Sequence, residues 1–274
     1  MSDKRFAIGG LEVAVRPRLP GMLDHMAGFY DHYPSHGGTA AAIIDVDVVP
    51  DFHEGRERGP SYPGFESERL SADVVRFSRY DAEGTVDASG AEVRASFTVG
   101  HSPNSLEAAV RIAVSTALPA VGAIIFHASA VSGSDGIAQL FLGISGRGKS
   151  TIAQILEDAG ATKVSDELVV VRRCPGGFEA VVSPFIGSVG LPHGKSFPLG
   201  ALNLLVQAPT HARRDVSAKE ALPQLLRHAV TFAKGPAIVG DVMDLLLDLL
   251  AKVPCYELEF ARRADVADAI LLTC

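Results

Sequence analysis

The run Gly143-Ile144-Ser145-Gly146-Arg147-Gly148-Lys149-Ser150 fills every fixed position of the pattern G-x-x-x-x-G-K-[ST], the phosphate-binding P-loop or Walker A motif. Such a loop works when a strand feeds it and a helix follows. Successive backbone N–H groups then converge on an oligophosphate at the positive end of a helix dipole. Lys149 would reach the β- and γ-phosphates of ATP, and the Ser150 hydroxyl would ligate Mg2+. Gly143, Ser145, Gly146, Arg147, Gly148 and Thr151 complete the expected nucleotide-binding set.

Two further groups could do chemistry beside that loop. Asp166 and Glu167 follow it closely, at the head of the apolar run Leu168-Val169-Val170-Val171. In ordinary phosphate-loop ATPases the acid that holds Mg2+ instead ends an apolar strand. Side chains of neighbouring residues in an extended segment point to opposite faces, so both acids can face one metal only if the chain bends there. Asp166 is the first candidate for the catalytic acid and Glu167 the second, and both are candidate Mg2+ ligands with Ser150. His127 lies in Ala123-Ile124-Ile125-Phe126-His127-Ala128-Ser129-Ala130-Val131, where period two puts it on a face with Ser129, opposite Phe126, Ala128 and Ala130. A lone strand histidine is more often a hydrogen-bonded core residue than a functional one. Lys195, Arg213 and Arg214 are candidates for the second cation that a transferring phosphoryl group commonly needs, against the commoner reading of solvated charges. A glycine-containing loop from Gly187 to Gly194 adds His193.

These groups need particular elements to hold them. Residues 137–142 read as the strand entering the loop, and 151–156 as the start of the helix leaving it. Ser132-Gly133-Ser134-Asp135-Gly136 is a tight turn, so the loop strand is expected to be the second arm of an antiparallel hairpin with 123–131. Most nucleotide-binding α/β folds place a parallel β-α-β unit there. Upstream, Ser102 or Asn104 caps a helix that Pro119 stops. Before that the chain reads as β-rich: a hairpin over 6–16 turning at Gly9-Gly10, a short helix over 22–30, and a strand over 40–49. A polar surface loop over 50–63, containing His53, Arg56 and Arg58, leads to strands over 72–80 and 91–99 joined through Asp81-Ala82-Glu83-Gly84. Downstream, Ser217-Ala218-Lys219-Glu220 is a capping box. Residues 241–252 form an amphipathic packing helix with Asp244 and Asp248 on its solvated side, and 265–272 a final helix. The expected division is a β-rich N-terminal domain over 1–103 and a catalytic domain over 104–274.

Taken together, His127-Ala128-Ser129-Ala130-Val131, the phosphate loop and Val164-Ser165-Asp166-Glu167 resemble the catalytic core of HPr kinase/phosphorylase and its smaller relatives, a superfamily shared with ATP-dependent phosphoenolpyruvate carboxykinase. The likeness extends more weakly through Ser183-Pro184-Phe185, Pro198 to Leu205 and Val253 to Phe260, and covers about residues 104–274. It implies an α/β fold with an HPr-kinase/PEP-carboxykinase-like P-loop core, a mixed sheet and a β-rich N-terminal domain. It also implies Mg2+-dependent transfer of the γ-phosphoryl of ATP to a hydroxyl of a peptide, protein or small molecule. On this resemblance the acid matching Asp166 or Glu167 acts as base or metal ligand, and His127 lies near the transferred group. HPr kinase carries two aspartates where this chain has Asp166-Glu167, and its glycine-rich second signature has no counterpart here, so phosphorolysis is not carried over. The alternative is a nucleotide-binding regulatory module without phosphotransfer. An ABC-type ATPase lacks support, since there is no Leu-Ser-Gly-Gly-Gln-type signature.

Composition bounds the rest. At 274 residues, with 47% hydrophobic and 21% charged residues, the chain has the make-up of an ordinary globular protein. A formal net charge of −7 argues against a nucleic-acid partner. No apolar run reaches the roughly 18 residues of a membrane span, and no signal-peptide pattern opens the chain, so no membrane partner is expected and the expected compartment is the cytoplasm. Three widely spaced cysteines suit neither a disulfide framework nor a zinc cluster. A homo-oligomer is compatible with all of this.

Overall fold

The computed structural model describes residues 3–19, 21, 23–24, 28–56, 65–185, 194–232, 235–261, 263, 265–266 and 270. The chain is α/β with two mixed sheets. It divides into two compact units, Met1–Val121 with Thr231–Asp241, and Gly122–Val230 with Val242–Cys274.

The first unit holds the strands β1 (Lys4–Ile8), β2 (Leu11–Pro17), β3 (Ala42–Val48), β4 (Glu66–Arg69), β5 (Val74–Arg79), β6 (Ala82–Asp87) and β7 (Val93–Val99), then helix α1 (Pro103–Ala117). Their order in the sheet is β1-β2-β3-β7-β6-β5-β4. β3 runs parallel to both β2 and β7, and the remaining pairs are antiparallel. The β1–β2 hairpin turns at Gly9 and Gly10, both at positive φ as the sequence leads one to expect. Ser102 caps α1 by accepting from the Asn104 N–H, and the helix buries Leu106, Val110 and Ala113. It lies against β7, β6 and β3, which groups it with this sheet, whereas the sequence reading put the junction before it at 103/104.

Two expectations change here. The segment read as a connection at 81–84 belongs largely to a strand of its own, β6. Gly84 permits it, because a Cβ there would fall 2.2 Å from the Ser96 carbonyl oxygen and 2.6 Å from the Phe97 ring. In a strand a glycine can mark such a close approach rather than a turn. The helix expected over 22–30 lies partly outside the described residues, and Gly28–His32 forms a short 3-10 helix. Arg58, the loop over 187–193 with His193, and most of the helix expected over 265–272 also lie outside them.

The second unit continues with β8 (Ala123–Ser132), β9 (Ala138–Leu142), α2 (Lys149–Asp158), β10 (Thr162–Ser165), β11 (Leu168–Cys174), β12 (Gly177–Val181), β13 (Ser196–Gln207), β14 (Ala212–Asp215) and α3 (Ala218–His228). Helix α4 (Pro236–Lys252), whose later residues belong here, and β15 (Cys255–Phe260) complete it. β9 is the second arm of an antiparallel hairpin with β8, pairing Ala128 with Leu142 and Ser132 with Ala138. β9 also runs parallel to β13, which runs parallel to β15. The sheet is therefore mixed at the strand that feeds the phosphate loop. The acids expected to head the strand of 168–171 lie in a bend just before it, between β10 and β11, and both of these strands are antiparallel to β8. In α4, Asp248 is ion-paired with Arg173 and Lys252 rather than merely solvated.

Helix α2 is fixed by one apolar cluster that includes Phe141, Ile152, Ala153, Leu156, Leu258 and Phe260, all buried. Burying each of the larger side chains contributes roughly 1.5–3 kcal/mol, which anchors the helix start against the sheet.

Candidate functional site

The phosphate loop begins where β9 ends and closes where α2 starts. Gly148 is the N-cap of α2 at φ 96° and ψ 22°, a left-handed conformation, and it offers no side-chain cap. The first N–H groups of the helix are left for another acceptor. Gly146 is also left-handed, at φ 81°. Neighbouring strands hold both parts of the loop. From β13, Gln207 Nε2 donates to the Gly146 carbonyl at 2.8 Å, and from β8 the Ser129 hydroxyl donates to the Lys149 carbonyl at 3.0 Å. Across the loop the Lys149 ammonium donates to the Gly143 carbonyl at 2.8 Å.

A cavity of about 340 Å3 opens on this loop, lined by Ser145, Gly146, Gly148, Lys149, Ser150 and Thr151 together with His127, Asp166 and Glu167. Of the expected site residues, Gly143 and Arg147 do not line it and face a second cavity instead. His127 comes from the centre of β8, on the face shared with Ser129. Both acids reach the cavity because the chain bends between β10 and β11. The Ser165 hydroxyl donates to the Leu168 carbonyl at 2.9 Å, tying together the two sides of the bend, while Ala128 N–H on β8 donates to the Glu167 carbonyl at 3.0 Å. The bend is what breaks the alternation of an extended segment.

Burial lowers the Lys149 ammonium from its ordinary range, and the charge of Glu167 works against that shift. Glu167 is thus the carboxylate whose field Lys149 feels most directly. His228, at the end of α3, is a residue sequence reasoning missed. An antiparallel bridge between Phe126 and Ala229, with Val230 N–H donating to the Ile125 carbonyl, brings the end of α3 alongside β8. Burial first, then the charges of Lys149, His127 and Arg227, push His228 down to about 4. No local motif announces it, since its place is set by a pairing of residues far apart in sequence. Gln207 was missed for the same reason.

The candidate second cations lie elsewhere. Lys195 sits 4.8 Å from the Phe197 ring centroid and Arg213 3.6 Å from that of Tyr256, while Arg214 is paired with Glu257 and Glu220. None of them lines the phosphate-loop cavity. Among the described residues no cluster of three or more His, Cys, Asp or Glu could hold a metal by itself. A cation here would rest on Ser150, Asp166 and Glu167, hard oxygen donors that suit Mg2+ when phosphate oxygens complete the shell. No described helix is long and apolar enough to cross a membrane.

No family model matches the sequence, and no curated protein matches it. Among solved structures the chain is distantly similar to the HPr(Ser) kinase/phosphatase from Coxiella burnetii, at 12% identity over 54% of this chain and 93% of that one, with a TM-score of 0.31.

Proposed function

We propose that the chain is an ATP-dependent, Mg2+-requiring kinase with an HPr-kinase-like P-loop core, transferring the γ-phosphoryl to a hydroxyl. The observation that carries this reading is that Lys149, Ser150, His127 and both acids line one cavity with the loop. One carboxylate suffices to hold Mg2+ at a nucleotide site, and a second one beside the triphosphate adds to the repulsion unless it has another task. A hydroxyl acceptor does need a carboxylate there, to take its proton as it attacks.

In this reading the N–H groups of the loop and the Lys149 ammonium hold the triphosphate. Ser150 with the acids would hold Mg2+, which supplies neutralisation of phosphate charge. Asp166 takes the hydroxyl proton. Glu167 stays beside Lys149, keeping its ammonium protonated against the effect of burial. As the acceptor oxygen bonds to the γ-phosphorus, the bridging P–O bond breaks and ADP leaves with its electron pair.

The test is transfer from labelled ATP in the presence of Mg2+. Lys149→Ala should lose nucleotide binding or turnover, and Asp166→Asn should keep nucleotide affinity while transfer falls by at least about a hundredfold, the usual worth of a general base. Transfer that survives Lys149→Ala would overturn the site assignment. Nucleotide-dependent partner binding that is indifferent to Asp166→Asn, without transfer, would favour a regulatory module.

A further inference from the structure

The first part of the phosphate loop forms a wall of a second cavity, of about 470 Å3. Gly143, Ile144 and Arg147 line it, whereas Ser145, Gly146 and the residues from Gly148 onward line the phosphate cavity. His228 also lines it, and its ring lies near enough to Lys149 and His127 to feel their charges. The two cavities therefore share the loop as a wall, and the bridge from Phe126 to Ala229 sets the end of α3 alongside the strand that carries His127.

The second cavity gathers three guanidinium groups and two carboxylates, those of Glu220 and Glu257. Arg214 is engaged by Glu257 and Glu220. The side chains of Arg147 and Arg227 have no hydrogen bond or ion pair among the described residues, although both line the same hollow. Like charges sharing a cavity repel one another, and an anion between them reverses the sign of that interaction. The planar fork of a guanidinium matches carboxylate and phosphate oxygens two at a time. The volume is that of a small-molecule pocket and too small for a folded partner. Its lining mixes those charges with the aliphatic Leu204, Leu205 and Val206, which suits a compact organic anion.

We propose that this cavity seats the acceptor, a small molecule bearing a hydroxyl and a carboxylate or phosphate ester, with Arg147 and Arg227 on the anionic group and the hydroxyl end directed past His228 to the phosphate cavity. The proposal rests on the kinase reading for the fate of the hydroxyl: its oxygen gains the γ-phosphoryl, its proton goes to Asp166, and ADP departs. The anion site itself is independent of that step.

The experiment fills the phosphate loop with a non-hydrolysable ATP analogue and Mg2+, then titrates glycerate, glycerol 3-phosphate and, as the neutral control, glycerol into the full chain by calorimetry. At least one anion should bind and glycerol should not, and the active arm tells carboxylate from phosphate ester. Arg227→Gln should weaken that binding about tenfold or more, the loss expected for a charge-assisted contact, while nucleotide affinity is retained. Arg227 is exposed, so the substitution leaves the core intact. Absence of binding by both anions, or wild-type affinity in Arg227→Gln, would overturn the proposal. If binding depends on Arg227 but ATP yields no phosphorylated product, the kinase reading falls and the anion site stands. If transfer occurs only to a peptide and ignores Arg227→Gln, the kinase reading stands and this site assignment falls.

Discussion

At Gly148 the backbone holds φ at 96°, and a Cβ would fall 2.6 Å from Cζ of Phe260. Phe260 is fully buried among Phe141, Ile152 and Leu258, so its ring cannot step aside without disturbing the cluster that anchors α2. Left-handed backbone costs an alanine about 1–2 kcal/mol, and forcing an atom into a packed core about 1–3 kcal/mol. Gly148→Ala should therefore destabilise the protein by roughly 2–5 kcal/mol in urea unfolding and weaken nucleotide binding with it. Adding Phe260→Leu relieves only the clash, so the double variant should recover part of the loss; wild-type stability in the single variant would contradict the argument. The same scale governs Lys149. Because the Glu167 carboxylate supports its protonation, Glu167→Gln should lower the Lys149 value further. The alkaline limb of nucleotide binding would then move to lower pH, a shift readable from affinities measured across the alkaline range.

Helix α3 carries Arg227 and His228 to the second cavity, and its start depends on a local device. The Ser217 hydroxyl accepts from the Glu220 N–H, and the Glu220 carboxylate accepts from the Ser217 N–H at 3.1 Å. Pro223, inside the helix, has no N–H to donate to the preceding turn, so the cap bears more of the work of holding it. Ser217→Ala should cost about 1 kcal/mol in urea unfolding, and a change indistinguishable from zero would mean the helix is held by its packing alone. This cap was legible in the sequence, as were the β8–β9 hairpin and the phosphate loop, because each is written in neighbouring residues. The bend at Asp166 and Glu167 was legible only as a condition, that both acids could share a site if the chain turned there. What satisfies it is the tie from Ser165 to Leu168 and the pairing with β8. The strand β6 and the place of His228 depend on residues far away in sequence, on Phe97 over Gly84 and on the bridge from Phe126 to Ala229, and no local pattern specifies such partners.

For the whole chain, a net charge of −7 would oppose the approach of the proposed triphosphate, so the cations lining the two cavities would have to act locally, and acidification changes this balance and the stability together. His228 sets the first step of the acid response. Its folded value of about 4 lies below the ordinary 6.5, so between those limits the unfolded chain binds a proton that the folded chain refuses. The contribution is complete above 6.5 and is lost as pH falls toward about 4. Fully expressed, such a shift is worth on the order of 3 kcal/mol. Asp87, Asp248 and Asp265 act at lower pH, because hydrogen bonds hold each below its ordinary 3.8, and what they contribute goes only as pH falls through those lowered values. Glu220, held below its ordinary 4.5 by the Ser217 hydroxyl and N–H, begins to lose its contribution near the bottom of the window between 6.5 and 4, so the upper part of the window reports the histidine most directly. His228→Gln lacks this titration, so its unfolding free energy should fall less steeply over that window than that of the unsubstituted protein, whatever its stability at neutral pH. Parallel curves for the two proteins would mean that the folded state accepts the proton freely, and that the ring is neither as dry nor as close to Lys149 as its lowered value requires.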